Sequence, residues 1–317
     1  MRFGVDGLLS GITPPDLLRI PARRMEGIAA SPGSFIGSSR RRLTEPGEYD
    51  LLAASLRKHD IRTLFYTGGN GSMAAALAIA GRFPNLQIVG IPKTIDNDLR
   101  VTDHTPGYAS TAYFFACAAR DAGIDNQSLP SPVCVLETLG RDVGWIVAAT
   151  ALARNTIDAA PHLIYFAEHP LTLDRIAADV ERVYRRLGRA FVAVCEGQFD
   201  GQELARELTA RLGIRARAER PGLVGRSCGP FTRDRDCREA FECGRAAVRA
   251  ALHDETGVMV ALHHDSSTFL TPLTTVAGKH RNFPLEWIAE GGNDVRPEFL
   301  RYAEPLVGVV PAYETVW

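Results

Sequence analysis

The sequence predicts an α/β fold with mainly parallel β-sheets, and three observations support this. Short apolar runs alternate with helix-forming segments through most of the 317 residues. The runs are apolar along their whole length, which is typical of strands covered on both faces. Glycine-rich or polar stretches follow the ends of several runs. With 45% hydrophobic residues, the chain is large and apolar enough for two lobes with separate cores.

The elements of the first half follow one another without long gaps. TLFYTGG (63–69) is an apolar run that ends in glycines and predicts a strand. The alanine-rich SMAAALAIAG (72–81) predicts a helix, and the run LQIVGIP (86–92) predicts the next strand. STAYFFACAARDAG (110–123) then favours a helix and SPVCVLETLG (131–140) a strand.

The second half continues the alternation. VGWIVAATALARN (143–155) predicts a helix, HLIYFAE (162–168) a strand, and TLDRIAADVERVYRRLG (172–188) an amphipathic helix. AFVAVCEG (190–197) predicts a strand. Two further helices are expected at QELARELTARLG (202–213) and RDCREAFECGRAAVRAAL (235–252).

Composition argues against several classes of function. The 36 basic and 37 acidic residues give a formal net charge of −1, so nucleic acid is not expected as a partner. No apolar run approaches the roughly 18 residues of a membrane span, and the N-terminus does not resemble a signal peptide. The six cysteines form no CxxC pair. They are interpreted as reduced thiols of a cytoplasmic protein.

The polar stretches fall where parallel sheets bind ligands. In such sheets the ligand sits at the carboxyl ends of the strands. Four stretches occupy these positions, namely GGNGS (68–72), PKTIDND (92–98), ETLGR (137–141) and CEG (195–197).

TGGNGS (67–72) lies between a predicted strand and a predicted helix. Glycines there allow backbone amides and the helix N-terminus to face an anion. Ser72 is a candidate cap of that helix. The alternative is an ordinary tight turn, because the stretch is neither a P-loop nor a GxGxxG motif.

PKTIDND carries a denser set of reactive groups. Asp96 and Asp98 are two residues apart, with Asn97 between them. One carboxylate can accept a proton from a substrate hydroxyl while the other holds a metal, and phosphoryl transfer needs both tasks. Lys93 supplies a positive charge for phosphate. The alternative is a solvated acidic loop or an Asx-turn.

Together, GIPKTIDNDL (90–99) and GGNGS resemble the 6-phosphofructokinase family, which includes ATP-dependent and pyrophosphate-dependent enzymes. Further segments resemble the family in the same order, namely FIGSSR (35–40), DHTPGYASTAYFFA (103–116), ETLGRDVGWIVAATALAR (137–154), CEG (195–197) and PGLVGRS (221–227). The form of 103–116 is similar to pyrophosphate-type members. The resemblance implies two Rossmann-like lobes. It assigns residues 1–106 plus 225–290 to the phosphoryl donor and residues 107–224 plus 291–317 to the sugar-phosphate acceptor.

The resemblance also implies roles for individual residues. Asp96 matches the catalytic base, Thr94 a contact of the transferred phosphoryl group, and Asp98 a metal-associated carboxylate; Lys93 completes the catalytic set. Asp98 and Asn70 are the implied ligands of Mg²⁺. The implied donor-binding residues are Gly68, Gly69, Asn70, Gly71, Ser72 and Arg40. The implied contacts of the sugar phosphate are Gly140, Arg141, Glu196, Arg217 and Arg226, of which Arg217 usually acts across a subunit interface.

The chain also departs from the family pattern. It begins at RFGVDGLL, which resembles the family's second strand, so the usual first strand and its GGDxPG loop are expected to be absent. Gly71 is typical of ATP-dependent members, whereas Lys93 is typical of pyrophosphate-dependent ones. Asn70 replaces a frequent metal-linked aspartate and would hold magnesium less strongly. On the acceptor side, four positions carry atypical residues, namely Leu139, Pro132, Leu223 and Gly225.

These observations predict magnesium-dependent phosphoryl transfer from ATP or pyrophosphate to a hydroxyl of a sugar phosphate, such as fructose 6-phosphate. A second reading is a catalytically impaired homologue that binds a phosphorylated sugar as a regulatory or partner subunit. A third is a misassigned gene start in an ordinary enzyme. A homo-oligomer, dimer or tetramer, is expected, with a full-length partner subunit as an alternative.

Two other motifs receive structural interpretations. His263 and His264 are adjacent on a predicted strand, so their side chains should point to opposite faces and not share a metal. Cys195 has no histidine nearby in sequence and is expected to be a buried thiol at a strand end rather than a nucleophile.

Overall fold

The computed structural model describes residues 27–28, 38–39 and 43–313. The chain divides into two compact units. Unit 1 comprises the residues up to 94 together with 98–106 and 236–280. Unit 2 comprises 95–97, 107–235 and the residues from 281 onward. The predicted donor contact Arg40 lies outside the described residues.

Within residues 43–313 the first elements alternate between helix and strand, and those from Thr63 onward were predicted whereas the helix before them was not. In chain order they are α1 (Pro46–Lys58), β1 (Thr63–Gly68), α2 (Asn70–Arg82), β2 (Gln87–Pro92), α3 (Tyr108–Asp125), β3 (Val133–Thr138), α4 (Trp145–Ala149) and β4 (Leu163–Ile164). A 3₁₀ turn, Thr150–Ala153, continues α4.

The remaining elements are α5 (Leu173–Leu187), β5 (Ala190–Cys195), α6 (Gly201–Leu212), β6 (Ala216–Glu219), α7 (Asp234–Leu252), β7 (Val258–Leu262), β8 (Thr268–Pro272), α8 (Leu273–Val276) and α9 (Pro297–Val307). Three short 3₁₀ turns lie at Gly222–Arg226, Gly229–Phe231 and Leu285–Trp287. No helix in the part of the chain described here is long and apolar enough to cross a membrane.

The sheet of unit 1 has the order β1-β2-β7-β8. The first three strands are parallel, and β8 joins β7 as an antiparallel hairpin. The register pairs Gly68 with Pro92, so β1 and β2 end at the same level. A core that includes Leu52, Met73 and Ile88 packs against this sheet. The two loops that follow β1 and β2 are therefore neighbours.

The sheet of unit 2 has the order β4-β5-β3-β6 and is parallel throughout. Thr138 at the end of β3 pairs with Cys195 at the end of β5, which brings the loops after these strands together. An aromatic group that includes Trp145, Phe166 and Phe283 forms much of one core of the unit.

Two predicted elements are shorter than expected. The predicted strand 162–168 is limited to Leu163–Ile164, and a turn in which the His169 amide donates to the Phe166 carbonyl oxygen begins two residues after it. The predicted helix 143–155 becomes 3₁₀ from Thr150 onward. There the Thr150 hydroxyl donates to the Val147 carbonyl oxygen across 2.6 Å, a side-chain contact that competes with regular helix geometry.

All six cysteines are free thiols. Four of them are buried and two, Cys228 and Cys237, are half-buried. Burial raises the pKa of three buried thiols to about 12, namely those of Cys134, Cys195 and Cys243.

Candidate active site

The turn between β1 and α2 is built around two glycines. Gly68 ends β1, and a Cβ there would lie 2.0 Å from the Ser72 side-chain oxygen. Gly69 is the N-cap of α2, and its carbonyl oxygen accepts hydrogen bonds from the amides of Ser72 and Met73. The prediction that Ser72 caps the helix is wrong. The helix begins two residues earlier, at Asn70, so Ser72 lies in its first turn.

The loop after β2 lies directly beside this turn. The Lys93 amide donates to the Gly68 carbonyl oxygen across 3.0 Å. A Cβ on Gly69 would lie 3.3 Å from the Thr94 Cβ, so a larger residue at either position would crowd the other. The Thr105 hydroxyl donates to the Thr94 carbonyl oxygen at 2.8 Å and closes the loop behind it. Unit 1 therefore brings the predicted donor residues 68–72 next to Lys93 and Thr94.

Asp98 is buried beneath the same turn. The Asn70 side-chain amide donates to the Asp98 carboxylate Oδ2 at 2.8 Å and to the Asp98 carbonyl oxygen at 2.9 Å. The Oδ1 atoms of both side chains are buried and have no hydrogen-bond partner among the described residues. Buried polar atoms are normally satisfied, and carboxylate and amide oxygens are the ligands that hard cations prefer. The pair Asn70 and Asp98 therefore fits a magnesium ion.

Such an ion would need further ligands. Among the residues that the structure describes, no three side chains of His, Cys, Asp or Glu are grouped so that they could hold a metal. Mg²⁺ commonly binds through one or two protein oxygens, water and the phosphate oxygens of a substrate. The pair of oxygens on Asn70 and Asp98 suits this kind of site.

Asp96 belongs to unit 2 and has different surroundings. Its side chain is 16% exposed, and its Oδ2 lies 4.0 Å from the Arg141 Nε. The neighbouring Asn97 is fully buried and has a left-handed φ of 57°. Its side-chain nitrogen Nδ2 donates to the Tyr302 hydroxyl at 3.1 Å. This buried asparagine fixes the backbone on which Asp96 is presented.

The loops after β3 and β5 join the other predicted acceptor residues. The Arg141 amide donates to Glu196 Oε1 at 3.3 Å, and the Arg141 carbonyl oxygen accepts from the Cys195 thiol at 2.7 Å. Gly140 has a φ of 126°, and a Cβ there would lie 2.9 Å from the Val143 carbonyl oxygen. Cys195 is thus a buried thiol that supports the loop, and the Arg141 guanidinium remains exposed.

Two other predicted phosphate contacts are carried by β6 and by the 3₁₀ turn Gly222–Arg226. The Arg217 guanidinium on β6 donates to Asn126 Oδ1 at 2.6 Å and to Glu219 Oε1 at 3.1 Å. Arg226 is exposed at the end of the 3₁₀ turn Gly222–Arg226. Gly225, next to it, is buried, and a Cβ there would lie 2.7 Å from Phe115 Cε2.

A buried ionic cluster follows the loop of Asp98, and the sequence reasoning missed it. His104 is almost fully buried between Asp103, 2.9 Å from its Nδ1, and Glu239, 2.8 Å from its Nε2. Burial alone would lower the pKa of His104, but hydrogen bonds to the two carboxylates outweigh it and the net pKa is raised. His264 lies 3.0 Å from the same Asp103 oxygen. The signal in the sequence was the DH pair five residues after Asp98.

His280 is a second residue that the sequence reasoning missed. Its Nδ1 lies 3.3 Å from Asp98 Oδ2 and 3.4 Å from Asn70 Nδ2. No motif marks it, because it is 182 positions from Asp98 in the sequence. Its backbone forms an isolated antiparallel bridge with Leu99, and this pairing carries its side chain to the carboxylate.

Known proteins resemble the chain over almost all of its length. A pyrophosphate–fructose 6-phosphate 1-phosphotransferase from Rhodospirillum rubrum is 35% identical over 92% of this chain and 82% of its own. A sulfofructose kinase from Alkalicoccus urumqiensis is 31% identical over 90% of this chain and 81% of its own. The crystal structure of a pyrophosphate-dependent phosphofructokinase from Marinobacter aquaeolei superposes with a TM-score of 0.87 at 28% identity, over 99% of this chain and 84% of that one. Residues 1–251 match the phosphofructokinase family, and the chain belongs to that family.

Proposed function

We propose that the protein is a phosphotransferase that moves a phosphoryl group from pyrophosphate to a hydroxyl of a phosphorylated sugar. The observation that carries this proposal is the contrast between two carboxylates in one short loop. Asp98 is buried and hydrogen-bonded to Asn70, whereas Asp96 lies beside an exposed guanidinium. The first suits a metal site and the second suits proton transfer.

Asp96 acts as the general base in this proposal. It accepts the proton of the attacking sugar hydroxyl, which makes the oxygen a better nucleophile toward the phosphoryl group. The Arg141 guanidinium, 4.0 Å from the carboxylate, adds positive charge where a negatively charged sugar phosphate would bind. Glu196 accepts a hydrogen bond from the backbone amide of Arg141 at Oε1, and its exposed carboxylate can also accept hydrogen bonds from sugar hydroxyls.

Unit 1 holds the donor in this proposal, and unit 2 the acceptor. Lys93 is exposed beside the glycine turn and offers a cation to the donor's phosphate oxygens. Thr94, packed against Gly69, contacts the phosphoryl group that is transferred. Asn70 and Asp98 hold Mg²⁺, which when bound neutralises charge on the phosphate oxygens.

Pyrophosphate is the first choice of donor, and ATP the second. The similar proteins from Rhodospirillum rubrum and Marinobacter aquaeolei are named as pyrophosphate-dependent enzymes. Lys93 is the residue that is typical of the pyrophosphate-dependent branch of the family. ATP is favoured by the open position at Gly71. Beyond the glycine's chain neighbours and the backbone of its own helix, no atom of the described residues lies within 4 Å of the place that a Cβ on Gly71 would take, which leaves room for a larger donor.

The acceptor is a sugar with an anionic group, of the fructose 6-phosphate class. Leu223 is exposed and apolar at a position where the family has a phosphate-binding side chain, so Arg226 and Arg217 would carry most of the recognition. The sulfofructose kinase among the relatives makes a sulfonated sugar a necessary comparison.

The test is a matrix of two donors and two acceptors. Pyrophosphate or ATP, each with Mg²⁺, is incubated with fructose 6-phosphate or sulfofructose, and the products are followed by ³¹P NMR. We expect turnover with pyrophosphate and fructose 6-phosphate. Turnover with ATP but not with pyrophosphate would make ATP the donor, as the open position at Gly71 favours. Calorimetric binding of the sugar without turnover in any combination would favour the catalytically impaired homologue.

A further inference from the structure

The Asp98 carboxylate is hydrogen-bonded on one of its two oxygens. Oδ2 accepts from the Asn70 amide at 2.8 Å, and the His280 Nδ1 lies 3.3 Å from the same atom. Asn70 gives its second N–H to the Asp98 carbonyl oxygen at 2.9 Å. The contacts from Asn70 and His280 are both made to Oδ2, so they restrict the rotation of the carboxylate.

The other oxygen is left for a ligand. Asp98 Oδ1 is buried and has no hydrogen-bond partner in the described part of the chain, and the same is true of Asn70 Oδ1. An unsatisfied buried oxygen is costly, and more so when it carries a charge. The two oxygens belong to side chains that are hydrogen-bonded to each other, Asn70 Nδ2 to Asp98 Oδ2, and oxygens of this kind are the ligands that a hard cation prefers.

The imidazole has one role that is consistent with these contacts. Both N–H groups of the Asn70 side chain already donate to Asp98, so neither is left for the His280 Nδ1 to accept. The His280 Nδ1 therefore contributes to the network by donating to Oδ2. Its backbone bridge with Leu99, the residue after Asp98, holds the ring beside the carboxylate although the ring itself is largely exposed.

We infer that His280 is a positioning residue for the metal site. It donates from Nδ1 to Asp98 Oδ2 and thereby presents Oδ1, together with Asn70 Oδ1, to the divalent cation. This inference rests on the proposed function, because it takes Asp98 as the metal-binding carboxylate. Partners that orient a ligand in this way typically change metal affinity about 10–100-fold when they are removed.

The experiment measures Mn²⁺ binding to the full chain without substrates. The electron paramagnetic resonance signal of free Mn²⁺ is titrated against the parent protein and against His280→Ala, His280→Asn and Asp98→Asn. Asparagine is chosen because its amide nitrogen can take the position of the imidazole Nδ1. His253→Ala is the control, since this histidine is exposed on the same unit and its Nδ1 contacts only the Arg249 carbonyl oxygen in the described structure.

We expect His280→Ala to bind Mn²⁺ about 10–100-fold more weakly than the parent. His280→Asn should recover most of the lost affinity, and His253→Ala should match the parent. Thermal unfolding of each variant, followed by circular dichroism, establishes that the comparison is made on folded protein. His280→Asn separates a role of the N–H donor from a general effect of removing the ring.

The outcomes separate this inference from the proposed function. If Asp98→Asn weakens Mn²⁺ binding but His280→Ala does not, the metal site stands and the role of His280 is wrong. If His280→Asn is as weak as His280→Ala, donation from Nδ1 is not the reason for the effect and the inference is overturned. If the parent does not bind Mn²⁺, or Asp98→Asn binds it equally well, the proposed metal site itself fails.

Discussion

The Asp96 carboxylate lies 4.0 Å from the Arg141 Nε, and its side chain is mostly buried. A carboxylate at this place has a cation at one side and remains partly open to a ligand. The arrangement leads to the first prediction.

Asp96→Asn should lower the rate of phosphoryl transfer by about 10²–10⁴-fold, the usual effect of removing a general base. Asparagine keeps the shape of the side chain but cannot accept the proton, so kcat should fall much more than the affinity for the sugar phosphate. Steady-state kinetics with both substrates varied measure this split. Asp50→Asn, on the exposed face of α1, is the control and should match the parent. Equal turnover by the parent and Asp96→Asn would rule out this role.

Arg226→Ala should remove most of the affinity for the sugar phosphate. A hydrogen bond to a charged group contributes roughly 1.5–3 kcal/mol, and Leu223 offers no replacement for the lost guanidinium. Lys93→Ala, on the donor side, should leave this affinity nearly unchanged.

Calorimetry should also show that the sugar phosphate binds more tightly than ATP or pyrophosphate, each with magnesium. Tight donor binding without sugar binding would contradict the prediction.

The chain should self-associate. Resemblance to the family assigns Arg217 to a phosphate site across a subunit interface, and its strand, β6, is at the edge of the sheet in unit 2. Exposed strand edges are normally covered or paired. We expect a dimer or tetramer in sedimentation velocity at micromolar concentration. A monomer, with and without sugar phosphate, would exclude this role of Arg217.

His104 should stabilise the fold most in mildly acidic solution. Its pKa is raised on folding, so its contribution is fully present below the value of an unfolded histidine, about 6.5, and is lost as the pH rises through the raised value. The groups that face it are Asp103, Glu239 and, through Asp103, His264. The difference in unfolding free energy between the parent and His104→Gln should therefore shrink as the pH increases.

Urea unfolding at several pH values measures this difference. His253→Gln, which changes an exposed histidine, should show no such trend. A difference between the parent and His104→Gln that stays constant or grows with pH would show that His104 does not bind its proton more tightly in the folded state.

Gly225→Ala should destabilise the protein by about 1–3 kcal/mol, the usual effect of overpacking a core. The added methyl group would lie 2.7 Å from the buried Phe115 ring and 3.2 Å from Phe114. The matched control is Gly244→Ala in α7. There no described atom beyond the chain neighbours and the helix backbone lies within 4 Å of the added Cβ, and alanine favours the helix by about 0.5–1 kcal/mol. Thermal melts of the two variants should therefore shift in opposite directions.

The strands and helices that carry the loops were predictable because their periodicity and composition are local. The strand ends at Gly68 and Pro92 follow from apolar runs that stop at glycine and proline, and the parallel sheet then brings their loops together. The β7–β8 hairpin was not predicted. A strand was expected at His263 and His264, but β7 ends at Leu262 and the two histidines lie between β7 and β8. Its strands are short, and only their pairing with each other and with β2 identifies them as part of the sheet.

The candidate site also contains residues that the local sequence reveals and residues that only tertiary contacts reveal. Asp96, Asp98 and the glycine turn lie within single motifs, so the sequence displays them. Glu239 and His280 reach their places through tertiary pairing, with His104 and with the backbone of Leu99, respectively. The environment of Gly225 is equally nonlocal, because Phe115 fills the space where a side chain would otherwise lie.

Four cysteines are buried and two are half-buried, so the reaction of the buried thiols with a reagent can report local opening of the structure. A thiol must be deprotonated and accessible to react, so the buried thiols whose pKa is raised to about 12 are protected twice. A mild alkylating reagent should modify Cys228 and Cys237 in the native state and reach Cys195 only when the loop of Arg141 separates from β5. The mass increase at Cys195 with time then reports how often the loop of Arg141 opens, without any change to the sequence.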